Sequence, residues 1–280
     1  MELRAFVQSN NKQLIGAKVA KYCLEKELKI KTEILNVDEI PNLNLEYLRY
    51  KRGGKWIVYD PKDLQSFTLV RFLPPTLMNF KGFALVIDPD IFALKELSEV
   101  LEICHSGKFS IAARRKNQSY DSSVMIMNCQ SLQGKYSWNL ILENLRNGTL
   151  DYVDLMSLNL PDIDIQELDS RFNSWDFFDS TTLFLHTTNR ITQPWKTGLK
   201  IDFVRKDPGK YLGVVPKKIM LKFLGKWPAR YQEHPDGQII EKFFELSRQA
   251  ILGDYLALGD LDDAIRSKSI RSDFKRFIIT

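Results

Sequence analysis

Phe83-Ala84-Leu85-Val86-Ile87-Asp88-Pro89-Asp90 is the stretch on which the organisation of the chain turns. Five apolar residues follow Gly82 and read as a strand buried on both faces, and the run stops abruptly at two carboxylates. Ligands in open α/β sheets gather at the carboxyl ends of strands, so a strand delivering Asp88 and Asp90 there can build a site. Pro89 fixes the backbone between them and lets two oxygens converge on one cation. Oxygen donors of this kind suit magnesium or manganese carrying a diphosphate. The same tripeptide is also ordinary turn chemistry and decides nothing alone.

On the N-terminal side, Leu3 to Val7 reads as a strand, and Leu14, Ile15, Val19, Tyr22, Cys23 and Leu28 fall at helical spacing before a second strand, Thr32 to Val37. This β-α-β opening is how a doubly wound nucleotide-binding sheet begins, but without a glycine-rich fingerprint it implies no NAD site. Asn10 and Asn11 end the first strand, where such a sheet reads a nucleotide base; the alternative is a turn that caps the following helix. Residues 38–62 read as irregular with at most a short hairpin, and Leu64 to Met78 as a helix broken at Pro74-Pro75.

On the C-terminal side the pattern predicts a helix over Leu94 to Ile103, strands at Phe109 to Ala113 and Ser122 to Asn128, and a helix from Trp138 that stops at Asn147-Gly148. A late strand, Leu183 to Leu185, runs into His186, one of three histidines. Asp88, Asp90 and a neutral imidazole make a plausible O,O,N set for manganese. Because the imidazole must be neutral, metal-dependent activity is expected to fall as pH drops through the histidine range near ~6.5.

With 280 residues, 44% hydrophobic and 27% charged, the chain can bury a full core. Three cysteines without paired spacing argue against a disulfide framework or a zinc cluster, and no apolar leader or membrane-spanning window is present, so a cytoplasmic protein is expected. The net charge of +5 is more than accounted for between Arg205 and Arg230, where eight basic residues meet Asp207 alone. That concentration argues against a general nucleic-acid binder. Over residues 216–227, helical spacing sets Ile219, Met220, Phe223, Leu224 and Trp227 against Lys218, Lys222 and Lys226. Such a helix can lie on an anionic membrane surface, or pack its apolar face on the rest of the protein. Ile239 to Leu252 and Leu256 to Ile265 also read as helices, giving a helical extension over 205–280 that is expected to help form the acceptor side.

The order of these pieces resembles a known family. Arg71-Phe72-Leu73-Pro74, the Asp88-Pro89-Asp90 strand end, Tyr120 to Asn128, Leu168-Asp169-Ser170-Arg171-Phe172-Asn173, and His186 to Trp195 are similar, in sequence order, to motifs of the glycogenin-like retaining glycosyltransferases, which include bacterial lipopolysaccharide galactosyltransferases. The resemblance covers residues 1–204 and implies an α/β fold: one Rossmann-like mixed sheet of the GT-A type flanked by helices, as a catalytic domain. It implies hexose transfer from a nucleotide-diphosphate sugar, a UDP-sugar, to a saccharide or glycolipid acceptor. Manganese (or magnesium) would be held by Asp88, Asp90 and His186; Arg71, ahead of the central strand, either reaches the donor or makes a structural ion pair. The family's Asp-Gln-Asp segment, which supplies catalytic-face carboxylates, is matched loosely by Asp151-Tyr152-Val153-Asp154, so Asp151 and Asp154 are both candidates. In the last motif Gln193 replaces a phosphate-binding lysine, leaving Arg190 or Lys196 to supply the missing charge. The competing possibility is a protein that binds sugar nucleotides on the same fold without turnover.

Overall fold

The computed structural model describes residues 2–203, 208–211, 215–224 and 227–278. The opening unit is β1 (Leu3–Ser9), α1 (Leu14–Leu28) and β2 (Thr32–Asn36), followed by the hairpin β3 (Arg49–Arg52) and β4 (Lys55–Val58). After α2 (Pro74–Leu77) come β5 (Phe83–Ile87), β6 (Ile91–Ala93), α3 (Ser98–Ser106), β7 (Ile111–Lys116) and β8 (Ser119–Asn128). Then follow α4 (Trp138–Asn147), α5 (Tyr152–Met156), β9 (Ile165–Leu168), β10 (Ser174–Trp175) and β11 (Phe184–His186). The C-terminal part holds β12 (Lys210–Tyr211), β13 (Val215–Pro216), α6 (Lys217–Phe223), α7 (Gly237–Leu252) and α8 (Leu258–Arg266).

Six strands form a mixed sheet in the order β2-β1-β5-β8-β7-β9, with β5 parallel to β1 and antiparallel to β8. Alternate side chains of β5 feed two cores: Leu85 and Ile87 join α1, α7 and α8 on one face, while Ala84 and Val86 join α4 and α5 on the other. Burial on both faces is why this strand is a continuous apolar run rather than an alternating one. A smaller sheet, β10-β11-β6, receives the chain directly after Asp90 and pairs His186 with Ile91.

Helix ends follow local chemistry. Ser137 caps α4 by accepting from the Leu140 N–H at 3.4 Å, and Gly148 closes it in the left-handed region at φ 77°. Two expected helices differ. The stretch from Leu64 to Met78 is a 3-10 turn, Ser66–Phe72, followed by the single turn α2. Every residue of Ser66–Phe72 is buried, so its apolar character reflects enclosure and not one helical face. The residues after Asp90 first form β6, which delays α3 to Ser98.

Gly16 sets how closely α1 approaches the strand end. A Cβ there would lie 2.6 Å from the Pro89 carbonyl oxygen and 3.3 Å from the Trp195 ring. Gly16→Ala is therefore expected to destabilise the protein by about 1–3 kcal/mol through overpacking, outweighing the helix preference of alanine. Urea unfolding checks this, and an unchanged midpoint would mean that α1 can recede. The C-terminal helices share the α1 core through Phe243, Phe244, Leu261 and neighbours. The expected boundary at 204/205 lies outside the described residues.

Candidate functional site

The central strand carries its carboxylates to the sheet edge as expected. Asp88 is held by its backbone N–H, which donates to the Ser123 carbonyl on β8 at 3.0 Å, and its carboxylate accepts from Arg71 Nη2 at 2.8 and 3.0 Å and from Gln8 Nε2. Arg71 comes from the buried 3-10 turn and also donates through Nη1 to Ser122 Oγ at 2.6 Å. Two residues on, Asp90 accepts from Gln193 Nε2 at 3.1 Å, and its other oxygen lies 3.6 Å from His186 Nε2. One atom each from Asp88, Asp90 and His186 fall within 4.8 Å of one another.

These groups form the floor of a cleft of about 390 Å³. Its walls come from Leu64–Arg71, from Ser119–Ser123 on β8, from Tyr152–Ser157 and from the loop after β11 with Arg190 and Gln193. Arg52, at the tip of the β3–β4 hairpin, also lines it and stacks on the Tyr152 ring at 4.8 Å.

Burial governs the electrostatics. It pushes the Asp90 carboxyl up to about 8, with the Asp88 charge adding to the effect. Burial likewise raises Asp88 to about 6, with Arg71 pulling the other way. The His186 imidazole is driven down to about 4, again mainly by burial. Burial disfavours the charged form of both partners in the 3.6 Å contact of His186 with Asp90, which works against an ion pair there. Asp121 behaves oppositely: burial disfavours its charge, but His186, the Ser123 hydrogen bonds and Lys116 outweigh this and hold it at about 2. Two half-buried carboxylates, Asp88 paired with Arg71, beside a buried imidazole nitrogen, are a donor set that fits a hard divalent cation.

Five residues expected at the site lie outside the cleft lining. Asp151 caps α5: its carboxylate accepts from Val153 N–H at 2.8 Å and from the Gly53 and Gly54 N–H groups at 2.9 and 2.7 Å, locking the hairpin tip. Asp154 accepts from Asn159 Nδ2 at 3.0 Å. Within that segment Tyr152 and Val153 face the cleft instead, because Asp151 is spent as the cap that starts the helix. Asn10 is buried with its amide committed to Leu64 O, Ser66 Oγ and the N–H groups of Lys12 and Gln13, which is the turn-capping alternative. Asn11 accepts from Asn36 Nδ2 at 2.8 Å. Lys196 is fully buried, with Nζ 3.6 Å from Asp202 Oδ2 and 5.5 Å from the Tyr231 ring centroid, and burial lowers its pKa. Of the two cations offered for Gln193's missing charge, Arg190 lines the cleft. Among the described residues none beyond Gln193 lines it.

Sequence reasoning passed over Asp121 and Asn173. Asn173 Oδ1 lies 2.8 Å from His186 Nδ1, and its Nδ2 donates to Ser123 Oγ at 3.0 Å. Both stood inside motifs already singled out, and Asp121 and Ser123 lie two apart on β8 where its pairing with β7 is irregular.

A mixed sheet that opens with β-α-β, presents an Asp-x-Asp strand end at a cleft and adds a histidine from a second small sheet has the GT-A-type architecture of glycosyltransferases. One solved structure supports this fold. The chain is similar to the apo-form glycosyltransferase GlyE of Streptococcus pneumoniae TIGR4, at 14% identity and a TM-score of 0.55, over 97% of this chain and 65% of that one. It is also similar to the galactosyltransferase LgtC in complex with donor and acceptor sugar analogues, at 15% identity and a TM-score of 0.49 over 95% and 99% of the two chains. A third is the bifunctional glycosyltransferase WbbM, at 9% identity and a TM-score of 0.48, over 70% of this chain. The chain spans 47% of the length of WbbM and 65% of GlyE. No protein-family model and no curated protein matches the sequence. At 14% identity the likeness to GlyE shows the fold alone.

Proposed function

We propose that this protein is a metal-dependent glycosyltransferase that moves a hexose from a nucleotide-diphosphate sugar, a UDP-sugar, to a saccharide or lipid-linked acceptor. The observation that carries this reading is the convergence of Asp88, Asp90 and His186 on the floor of a cleft at the carboxyl edge of the central strand. These three residues would hold manganese or magnesium. A bound divalent cation would neutralise the departing diphosphate as a Lewis acid. Arg71 orients Asp88 through its two contacts, Gln193 orients Asp90, and Arg190 brings a guanidinium to the cleft for diphosphate oxygens. A retaining outcome follows from the family resemblance.

UDP is expected to raise the unfolding temperature strongly with manganese and weakly in chelator, because ligand binding stabilises by mass action. Equal shifts in both would remove the metal from the reading. The pH dependence belongs to Asp90 and not to His186, which burial keeps neutral down to about 4. A proton on Asp90, whose pKa is about 8, competes with the cation. Manganese affinity should therefore weaken by up to about tenfold per pH unit below that point, which calorimetry across pH checks.

The positions of Asp151 and Asp154 outside the cleft favour a second reading, a binding protein without turnover. Release of UDP from UDP-sugars in a manganese-dependent assay separates the two.

We also propose peripheral contact with an anionic membrane on the cytoplasmic side. No described helix is long and apolar enough to cross a membrane. No residue of α6 is buried: Ile219 is 63% and Phe223 92% exposed, beside Lys217, Lys218 and Lys222. Lys226 lies outside the described residues. Lys218→Gln with Lys222→Gln is expected to lower binding to phosphatidylserine vesicles severalfold and leave UDP binding intact. Wild-type protein that ignores such vesicles would end this part of the reading.

A further inference from the structure

We propose that Asp121, Ser123 and Asn173 form a positioning relay that fixes the His186 tautomer, placing the ring hydrogen on Nδ1 and leaving Nε2 bare toward Asp90. The inference rests on the proposed metal site for its purpose, but its geometry stands apart from it. Asp121 begins the chain of consequences, because a carboxylate is only an acceptor. It accepts from the Ser123 N–H at 2.9 Å, from the Ser123 hydroxyl and from Lys116 Nζ at 3.1 Å. The hydroxyl has one hydrogen, and having given it to Asp121 its oxygen can only accept.

It accepts from Asn173 Nδ2 at 3.0 Å. The amide is thereby oriented, and its Oδ1 faces His186 Nδ1 at 2.8 Å. A flipped amide would set Oδ1 against a hydroxyl oxygen that has no hydrogen left to donate. Ser123 Oγ itself lies 3.5 Å from Nδ1, so both neighbours of that nitrogen are acceptors and the neutral ring must carry its hydrogen there.

Asn173, Ser123 and His186 are buried, and Asp121 is half-buried where β8 lines the cleft. The parts of the relay come from separate elements held in register. Asp121 and Ser123 lie two apart on β8, Asn173 closes the 3-10 turn before β10, and β10 pairs Trp175 with His186. A carboxylate on one strand thus sets, through two neutral links, which nitrogen of a histidine on another sheet is free to bind.

The test reads the imidazole 15N shifts of metal-free protein, with His186 assigned by His186→Gln, alongside manganese affinity by electron paramagnetic resonance. Wild type is expected to show the Nδ1–H tautomer. Ser123→Ala and Asp121→Asn should give mixed tautomers and manganese binding about 10–100-fold weaker, while Ser123→Thr retains both properties. If Asp121→Asn does not fold, the Ser123 pair gives the answer alone. An Nε2–H tautomer in wild type, or unchanged tautomer and affinity in Ser123→Ala, overturns the relay. Wild type that binds no manganese, yet shows Nδ1–H that is lost in Ser123→Ala, would uphold the relay and overturn the metal reading.

Discussion

Asp90→Asn is expected to cut manganese-dependent release of UDP from a UDP-sugar by roughly 10²–10³-fold, since several kcal/mol of charge stabilisation depend on that carboxylate. The same variant should make the metal-free protein more stable near neutral pH. A carboxyl raised by burial to about 8 stabilises the fold fully only below its unfolded value near ~3.9, and that contribution is lost as pH rises through the folded value. Asparagine keeps the shape and the Gln193 neighbour and carries no such charge to bury. Thermal unfolding in chelator and a turnover assay in manganese read the two effects separately. Full turnover with the asparagine variant would sink the metal-holding role of Asp90.

Trp195→Ala is expected to cost about 3–5 kcal/mol of stability, among the largest effects of any single truncation here. The indole is fully buried, 4.8 Å from the Phe243 ring and 6.2 Å from Phe92, centroid to centroid. Its carbonyl accepts from the Arg271 N–H at 2.7 Å, so one residue ties the cleft loop to α7 and to the C-terminal segment. Because Gln193 and Arg190 sit on that loop, loss of the indole should also weaken UDP binding at temperatures where the protein is still folded. Urea unfolding followed by tryptophan-independent circular dichroism checks the first part; a cost below about 1 kcal/mol would mean the loop repacks.

How far the sequence could be read depended on whether a signal was local. The central strand was legible because burial on both faces leaves an unbroken apolar run, and its Asp88-Pro89-Asp90 end and the strand into His186 are contiguous words. The mixed sheet around it followed from the β-α-β opening and the resemblance. Asp151 lies outside the cleft lining as the cap of α5, and an aspartate before a helix looks the same in sequence whether it faces a substrate or caps a turn. Its partners Gly53 and Gly54 lie 98 and 97 residues away. Lys196 stood beside the cleft motif in sequence, yet the 3-10 turn Pro194–Lys196 swings it to Asp202. Asn173 was passed over for a similar reason: its value lies in contacts to β8 and β11 that only the folded sheets create.

The pairing of His186 with Ile91 is reinforced by the Thr187 hydroxyl bond to the Asp90 carbonyl, which joins residues 97 apart. Closing so long a loop costs entropy before any contact repays it, which places this pairing among the slow events of folding. A partly folded chain then presents Asp88 and Asp90 without their third ligand and holds a cation poorly. On the proposed reading, cation capture marks the final docking of the small sheet: it slows escape from the native state while leaving the rate of arrival unchanged.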